Sequence, residues 1–113
     1  MSVVTLSADK SGEFKILLVA DLHTDISEEA NKQTWNDIRS LIAKTSPDLL
    51  VLLGDVWCAD DKPERGPEFM KRDIAVLENV QVPWAFVWGN HDFGLDTTWA
   101  NEMLVNAKHS VMP

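Results

Sequence analysis

Cysteine occurs once in this chain, at Cys58, and tyrosine does not occur at all. A single thiol forbids an internal disulfide, so the fold rests on burial and hydrogen bonding rather than on covalent cross-links. No apolar run approaches the roughly 20 residues needed to cross a bilayer. The opening MSVVT lacks the basic start and apolar stretch of a secretory leader. The expectation is a soluble, cytoplasmic chain. Basic residues are scarce, with Lys and Arg totalling 10 against 18 Asp and Glu, and the formal charge of -8 argues against a broad basic surface for nucleic acid or acidic membrane. Phosphate substrates are not excluded by that balance. Carboxylates that hold cations count as negative, whereas the loaded site is locally positive.

What is present is ordinary globular composition, 45% hydrophobic and 25% charged over 113 residues, enough for a single domain spanning 1–113 and too little for two. No repeat, low-complexity tract or linker interrupts it. The opening alternates over 2–7, a turn follows at 9–12, and 14–20 (FKILLVA) reads as a strand, so a β-hairpin is predicted at the start. Three apolar runs then organise the chain: 16–20, 49–53 (LLVLL) and 84–88 (WAFVW). The latter two are continuous rather than alternating, the pattern of parallel strands covered on both faces.

Helices are predicted between them. The first covers 28–44, with Ser27 as cap, acids in its first turn, Trp35, Ile38, Leu41 and Ile42 on one face, and Pro47 after it. The second runs over 67–78, opening on proline and aligning Met70, Ile74 and Leu77. A third spans 98–108 and buries Met103, Leu104 and Ala107. The order is βαβαβα, a right-handed α/β layout.

Each apolar strand ends in a polar cluster: Asp21-Leu22-His23, then Gly54-Asp55, then Gly89-Asn90-His91-Asp92. One strand-helix unit separates each pair, so a parallel sheet brings all three to its carboxyl edge, where open α/β folds bind ligands. Two carboxylates, an imidazole and an amide oxygen suit Zn, Mn or Fe. Gly54 and Gly89 allow sharp turns at the strand tips. Asp21 and His23, two apart, share one side of an extended backbone and can grip one ion together. Singly, Asp-Leu-His is a common tripeptide, Gly-Asp an ordinary turn and Gly-Asn-His-Asp moderately specific; the three in this order are a strong signal.

On these residues the chain resembles the calcineurin-like metallophosphoesterases, whose pattern is Asp-x-His, Gly-Asp, Gly-Asn-His-Asp/Glu, then Gly-His and Gly-His-x-His. GEFKILLVADLH, PDLLVLLGD and VPWAFVWGNHDF look most like the purple-acid-phosphatase-related branch. The resemblance implies the front half of an αββα sandwich, here preceded by the hairpin. It implies two divalent or trivalent metal ions (Mn, Zn or Fe) and in-line attack on a phosphomonoester or phosphodiester by an activated hydroxide. By the same resemblance Asp21 and His23 hold the first metal, Asp55 bridges, and Asn90 binds the second. His91 and Asp92 are its catalytic candidates, His91 beside the phosphate and Asp92 fixing the His91 loop. Two departures stand out. The tyrosine ligand of true purple acid phosphatases is replaced by Cys58, which leaves the metal open, and the Gly-His and Gly-His-x-His elements, which supply three histidines, are absent from this sequence.

The remaining candidates read as structural. His109 has no glycine turn before it and reads as a solvated helix end, and Cys58 as a buried thiol. Trp57 is open to two readings, pocket wall or core, while Trp35, Trp84 and Trp88 read as core. The loop 59–66 (ADDKPERG), with Arg65, reads as a solvated charge run. Residues 109–113 look like a lead into another strand. The leading expectation is therefore a metallophosphoesterase present as its N-terminal half. The alternative is a truncated, inactive metal-binding or interaction protein that self-associates or pairs with a C-terminal half.

Overall fold

The computed structural model describes residues 4–24, 28–57, 66–92 and 97–111. Its frame is a parallel three-stranded sheet in the order β1 (Ile16–Val19), β2 (Leu49–Leu52), β3 (Trp84–Phe86). Ile16 pairs with Leu49 and Val19 with Leu52, while Leu50 pairs with Trp84 and Leu52 with Phe86. Helices α1 (Glu28–Thr45), α2 (Gly66–Asn79) and α3 (Thr97–Asn106) follow the strands in turn. The expected βαβαβα layout is thus present.

Neighbouring strands are consecutive in sequence, so crossovers of one hand, right-handed by the general rule for such units, place α1 and α2 on one face of the sheet. The register defines that face. Leu50, Leu52, Trp84 and Phe86 are buried on it, with Leu17 and Val19 packed alongside. From the helices come Trp35 and Ile38 of α1, Phe69, Met70, Ile74 and Leu77 of α2, and Ala100 and Leu104 of α3. Continuous apolar runs predict burial on both faces, and here the structure differs. Ile16, Leu18, Leu53 and Val87, on the opposite face, are 53%, 58%, 48% and 52% exposed. Among the described residues nothing covers them.

Helix α1 forms where its sequence favours it. Glu28 and Glu29 complement the positive end of the helix dipole and Lys44 the negative end. It stops because Ser46 turns left-handed, with φ 46°, and returns its amide to the Ile42 carbonyl at 2.8 Å. Ser27 lies outside the described residues. Of the predicted inward face, Trp35 and Ile38 are buried and Ile42 packs partly, but Leu41 is exposed, since it lies one 100° step round the helix from Ile42.

Among the described residues the predicted opening hairpin does not form. The turn is present, with Gly12 donating to the Asp9 carbonyl and Asp9 to that of Glu13, but residues 4–7 adopt no strand. They are mostly exposed, with no apolar layer to hold them against β1. The Lys15 amide instead donates to the Asp48 carboxylate at 2.8 Å, and the Asp48 amide returns to the Lys15 carbonyl. At the other end, Ser110 makes a parallel bridge to Trp84 on the free edge of β3, as the strand-like lead predicts.

His109 is not a solvated helix end. Its amide and Nδ1 both reach the Glu78 carboxylate, at 3.0 and 2.8 Å, and Trp84 Nε1 donates to the same group. Burial opposes ionisation of Glu78, but the bonds from His109 and Trp84 together outweigh it and hold the carboxyl below its ordinary value. A carboxyl held low in the fold binds its proton more weakly than in the unfolded chain. Its stabilisation is therefore present above the ordinary 4.5 and is lost as pH falls through the lowered value. Glu78→Gln is expected to flatten that acid limb, measured by urea unfolding between neutral pH and about pH 3. In the same assay Leu50→Ala is expected to lower stability by about 2–5 kcal/mol, because it empties a fully buried site in the central strand.

Candidate metal centre

Beyond the last residues of β1 and β2 the two chains stay in register for a few more steps. Asp21 donates to the Gly54 carbonyl at 3.1 Å, His23 to Asp55 at 3.0 Å and Thr24 to Val56 at 2.7 Å. The loops after β1 and β2 therefore run side by side as one unit at the carboxyl edge. Along them Asp21, His23 and Asp55 all adopt left-handed backbone, with φ of 56°, 49° and 52°. That conformation is disfavoured for residues with a side chain by about 1–2 kcal/mol each, and persists only where surroundings enforce it.

Its result is convergence. Nε2 of His23 lies 3.6 Å from Oδ1 of Asp21 and 4.0 Å from Oδ2 of Asp55. One donor atom from each residue falls within 4.8 Å of the others. Ligands at about 2.0–2.2 Å from one ion lie no more than about 4.4 Å apart, so a small inward movement suffices. Two carboxylates and an imidazole suit a divalent cation such as Mn or Zn. Asp21 is 70% exposed and His23 41%, whereas Asp55 is only 13% exposed. The group faces solvent on one side and is anchored on the other.

The anchor is Asp92. Fully buried, its carboxylate accepts from the Asp55 amide at 2.9 Å, the Gly89 amide at 2.8 Å and the Trp57 amide at 3.0 Å. One side chain thus joins the loop after β2 to the loop after β3. Burial pushes the Asp92 carboxyl above the ordinary range and repulsion from Asp55 adds to this, against the three amides, which pull it down. Gly89 allows the approach: a Cβ there would sit 2.1 Å from Asp55 Oδ1 and 2.4 Å from its amide nitrogen. Gly54, with φ 89°, faces Gly89 in the same way, a Cβ meeting its nitrogen at 2.8 Å.

Asn90 is exposed on the short 3-10 turn Asn90–Asp92, next to the Gly89–Asp55 contact. His91 lies on that turn, and its side chain is outside the described part of the structure, as are Cys58, Arg65 and the rest of the 59–65 loop. Trp57 is core: it is fully buried against Phe86, ring centroids 4.8 Å apart. Two residues beneath the loops carry no motif. Thr24 and Asp73 are fully buried and bonded to each other. Spacing was the available signal, since Asp73 falls four after Phe69 and four before Leu77, a lone charge on the apolar face of α2.

Gly89→Ala is expected to displace the Asp55 carboxylate and weaken Mn or Zn binding at least about tenfold, read by calorimetric titration. Asp92→Asn offers one accepting oxygen in place of two and leaves a buried amide unpaired. A loss of about 1–3 kcal/mol is expected in urea unfolding.

The calcineurin-like phosphoesterase family model matches residues 14–110. Phosphatase DCR2 of Saccharomyces cerevisiae is 28% identical over 100 residues, which cover 77% of this chain and 17% of that protein. UDP-2,3-diacylglucosamine hydrolase of Salmonella agona is 33% identical over 89 residues, 76% of this chain and 37% of the relative. The enzyme of the same name from Xanthomonas oryzae pv. oryzae is 30% identical over 87 residues, with 74% and 35% covered. This chain therefore spans well under half the length of these relatives. Family match, parallel α/β frame and the three converging donors agree: the chain belongs to the calcineurin-like phosphoesterases.

Proposed function

We propose that this chain carries the metal-ligating front portion of a metal-dependent phosphoesterase acting on phosphomonoesters or phosphodiesters. The observation that carries the proposal is the convergence of Asp21, His23 and Asp55 donor atoms within 4.8 Å, each on strained backbone. In this reading these three hold one cation, and Asp55 with Asn90 contributes to a second. Bound there, the cations would polarise the phosphoryl oxygens and acidify water. Asp92 holds the Asp55 amide, and the missing side chain of Gly89 leaves room for the Asp55 carboxylate. By the family resemblance His91 would stand beside the phosphate, stabilising the transition state or protonating the leaving oxygen. A phosphatase and a UDP-2,3-diacylglucosamine hydrolase among the relatives support hydrolysis and leave monoesters and diesters to be compared directly.

A second reading, a metal-binding or interaction protein without turnover, is favoured by the exposed apolar sheet face, where Ile16, Leu18, Leu53 and Val87 meet solvent. No described helix is long and apolar enough to cross a membrane, so a bilayer-spanning helix among them does not account for that face.

Hydrolysis of an aryl phosphate monoester and of the matching diester, with Mn, Zn or Fe added singly, separates the two. The expected outcome is slow turnover that a chelator stops and that Asp55→Asn reduces at least about a hundredfold. Turnover that survives Asp55→Asn would remove the metal-site assignment, and saturable metal binding with no hydrolysis would favour the binding protein.

A further inference from the structure

The candidate metal loop is tied to the helical layer at a buried point. Thr24, directly after His23, is fully buried. Its amide donates to the Val56 carbonyl, and its hydroxyl lies within reach of two acceptors, that same carbonyl at 2.9 Å and Oδ2 of Asp73. A hydroxyl has one proton to give, and the shorter contact is to the carboxylate. Asp73 projects from α2 and is fully buried. Its Oδ1 accepts from Trp35 Nε1 of α1 at 2.9 Å and from Arg72 Nε at 3.0 Å, and Arg72 Nη2 reaches Oδ2 at 3.2 Å. Helix α1, helix α2 and the His23 loop therefore meet on one carboxylate.

Core filling alone does not ask for this arrangement. The neighbouring inward positions of α2, Phe69, Met70, Ile74 and Leu77, are all apolar, and a carboxylate taken out of water is retained only when its partners satisfy it. What Asp73 adds over an apolar residue is direction. It fixes Thr24 from below while the Val56 carbonyl fixes it from the side. His23, whose own amide is held by Asp55, has no slack in which to relax its left-handed φ. We infer that Asp73 is a positioning residue for the proposed metal site: through Thr24 it sets the backbone of His23 and so the aim of the imidazole, while touching neither cation nor substrate. The inference rests on the metal-site reading above.

Cobalt(II) titration of the full chain tests it, with affinity and visible absorption followed beside circular dichroism and urea unfolding. Saturable binding by the unsubstituted chain that Asp55→Asn abolishes is the baseline. Thr24→Val, which keeps the shape and removes the hydroxyl, is expected to weaken cobalt about tenfold and shift the visible band with the fold intact. Thr24→Ser is expected to restore both. Asp73→Ala acts in the same direction, and combining it with Thr24→Val adds little further loss of affinity. Asp73→Ala also releases donors from Trp35 and Arg72, so the milder Thr24 pair decides the question. Leu104→Ala, which destabilises the core from α3, is expected to bind cobalt normally.

A Thr24→Val protein with a lower unfolding midpoint but unchanged affinity and spectrum would overturn the inference and leave Asp73 a clip between helices. Cobalt binding no different from that of Asp55→Asn would instead overturn the metal-site reading, and this inference with it.

Discussion

Three backbone amides from two loops converge on the carboxylate of Asp92, and the geometry of the candidate site depends on that convergence. A parallel sheet places strand ends at a common edge but does not by itself bring loop residues into register. Here the amides of Asp55, Trp57 and Gly89 share one acceptor, which pins the second and third loops to each other at hydrogen-bond length. A buried carboxylate accepting several amides is strongly directional, because leaving any one donor unmet in the interior is unfavourable. The first loop joins by extending the β1–β2 pairing past the sheet, through Asp21, His23 and Thr24.

The same construction concentrates negative charge. Asp21, Asp55 and Asp92 crowd one edge of a chain whose formal charge is already -8. Burial is the main cause that raises the Asp92 carboxyl, and repulsion from Asp55 adds to it against the three amides. Left-handed backbone at all three donors and a carboxylate surplus fall together at this edge, the combination of local strain and like charge that the proposed metal site would account for.

Much of this was legible in the residues. The runs LLVLL and WAFVW fall on β2 and β3, as their shortness and the glycine that ends each of them favour strand over buried helix. Helix α1 was legible from its acidic first turn and its spacing of Trp35, Ile38 and Ile42. What could not be read depended on long-range partners. His109 looks solvated until Glu78, far away in sequence, is found beside it. Asp73 looks like a break in an apolar face until Thr24 and Trp35 are seen to meet there. The opening alternation suggested a strand, but pattern alone supplies no second layer for such a strand to pack on. The second and third runs also promised burial on both faces, whereas the described structure covers one. The left-handed φ of Asp21, His23 and Asp55 was hidden as well, because Asp and His do not announce that conformation as glycine does.

That hidden feature bears on how such motifs drift. At a left-handed position the backbone tolerates glycine and asparagine most readily, aspartate and histidine less well, and β-branched or bulky residues badly. The letters at Asp21, His23 and Asp55 are thus constrained twice, by ligand chemistry and by chain shape. A descendant that abandoned metal altogether would still be steered toward a short alphabet of Gly, Asn, Asp and His at these sites. Divergent copies are then recognisable by residues that keep the bend after the chemistry is gone. Asp-to-Asn exchange at these positions is a change the backbone accepts readily, while it removes a negative charge from the edge where the three donors meet.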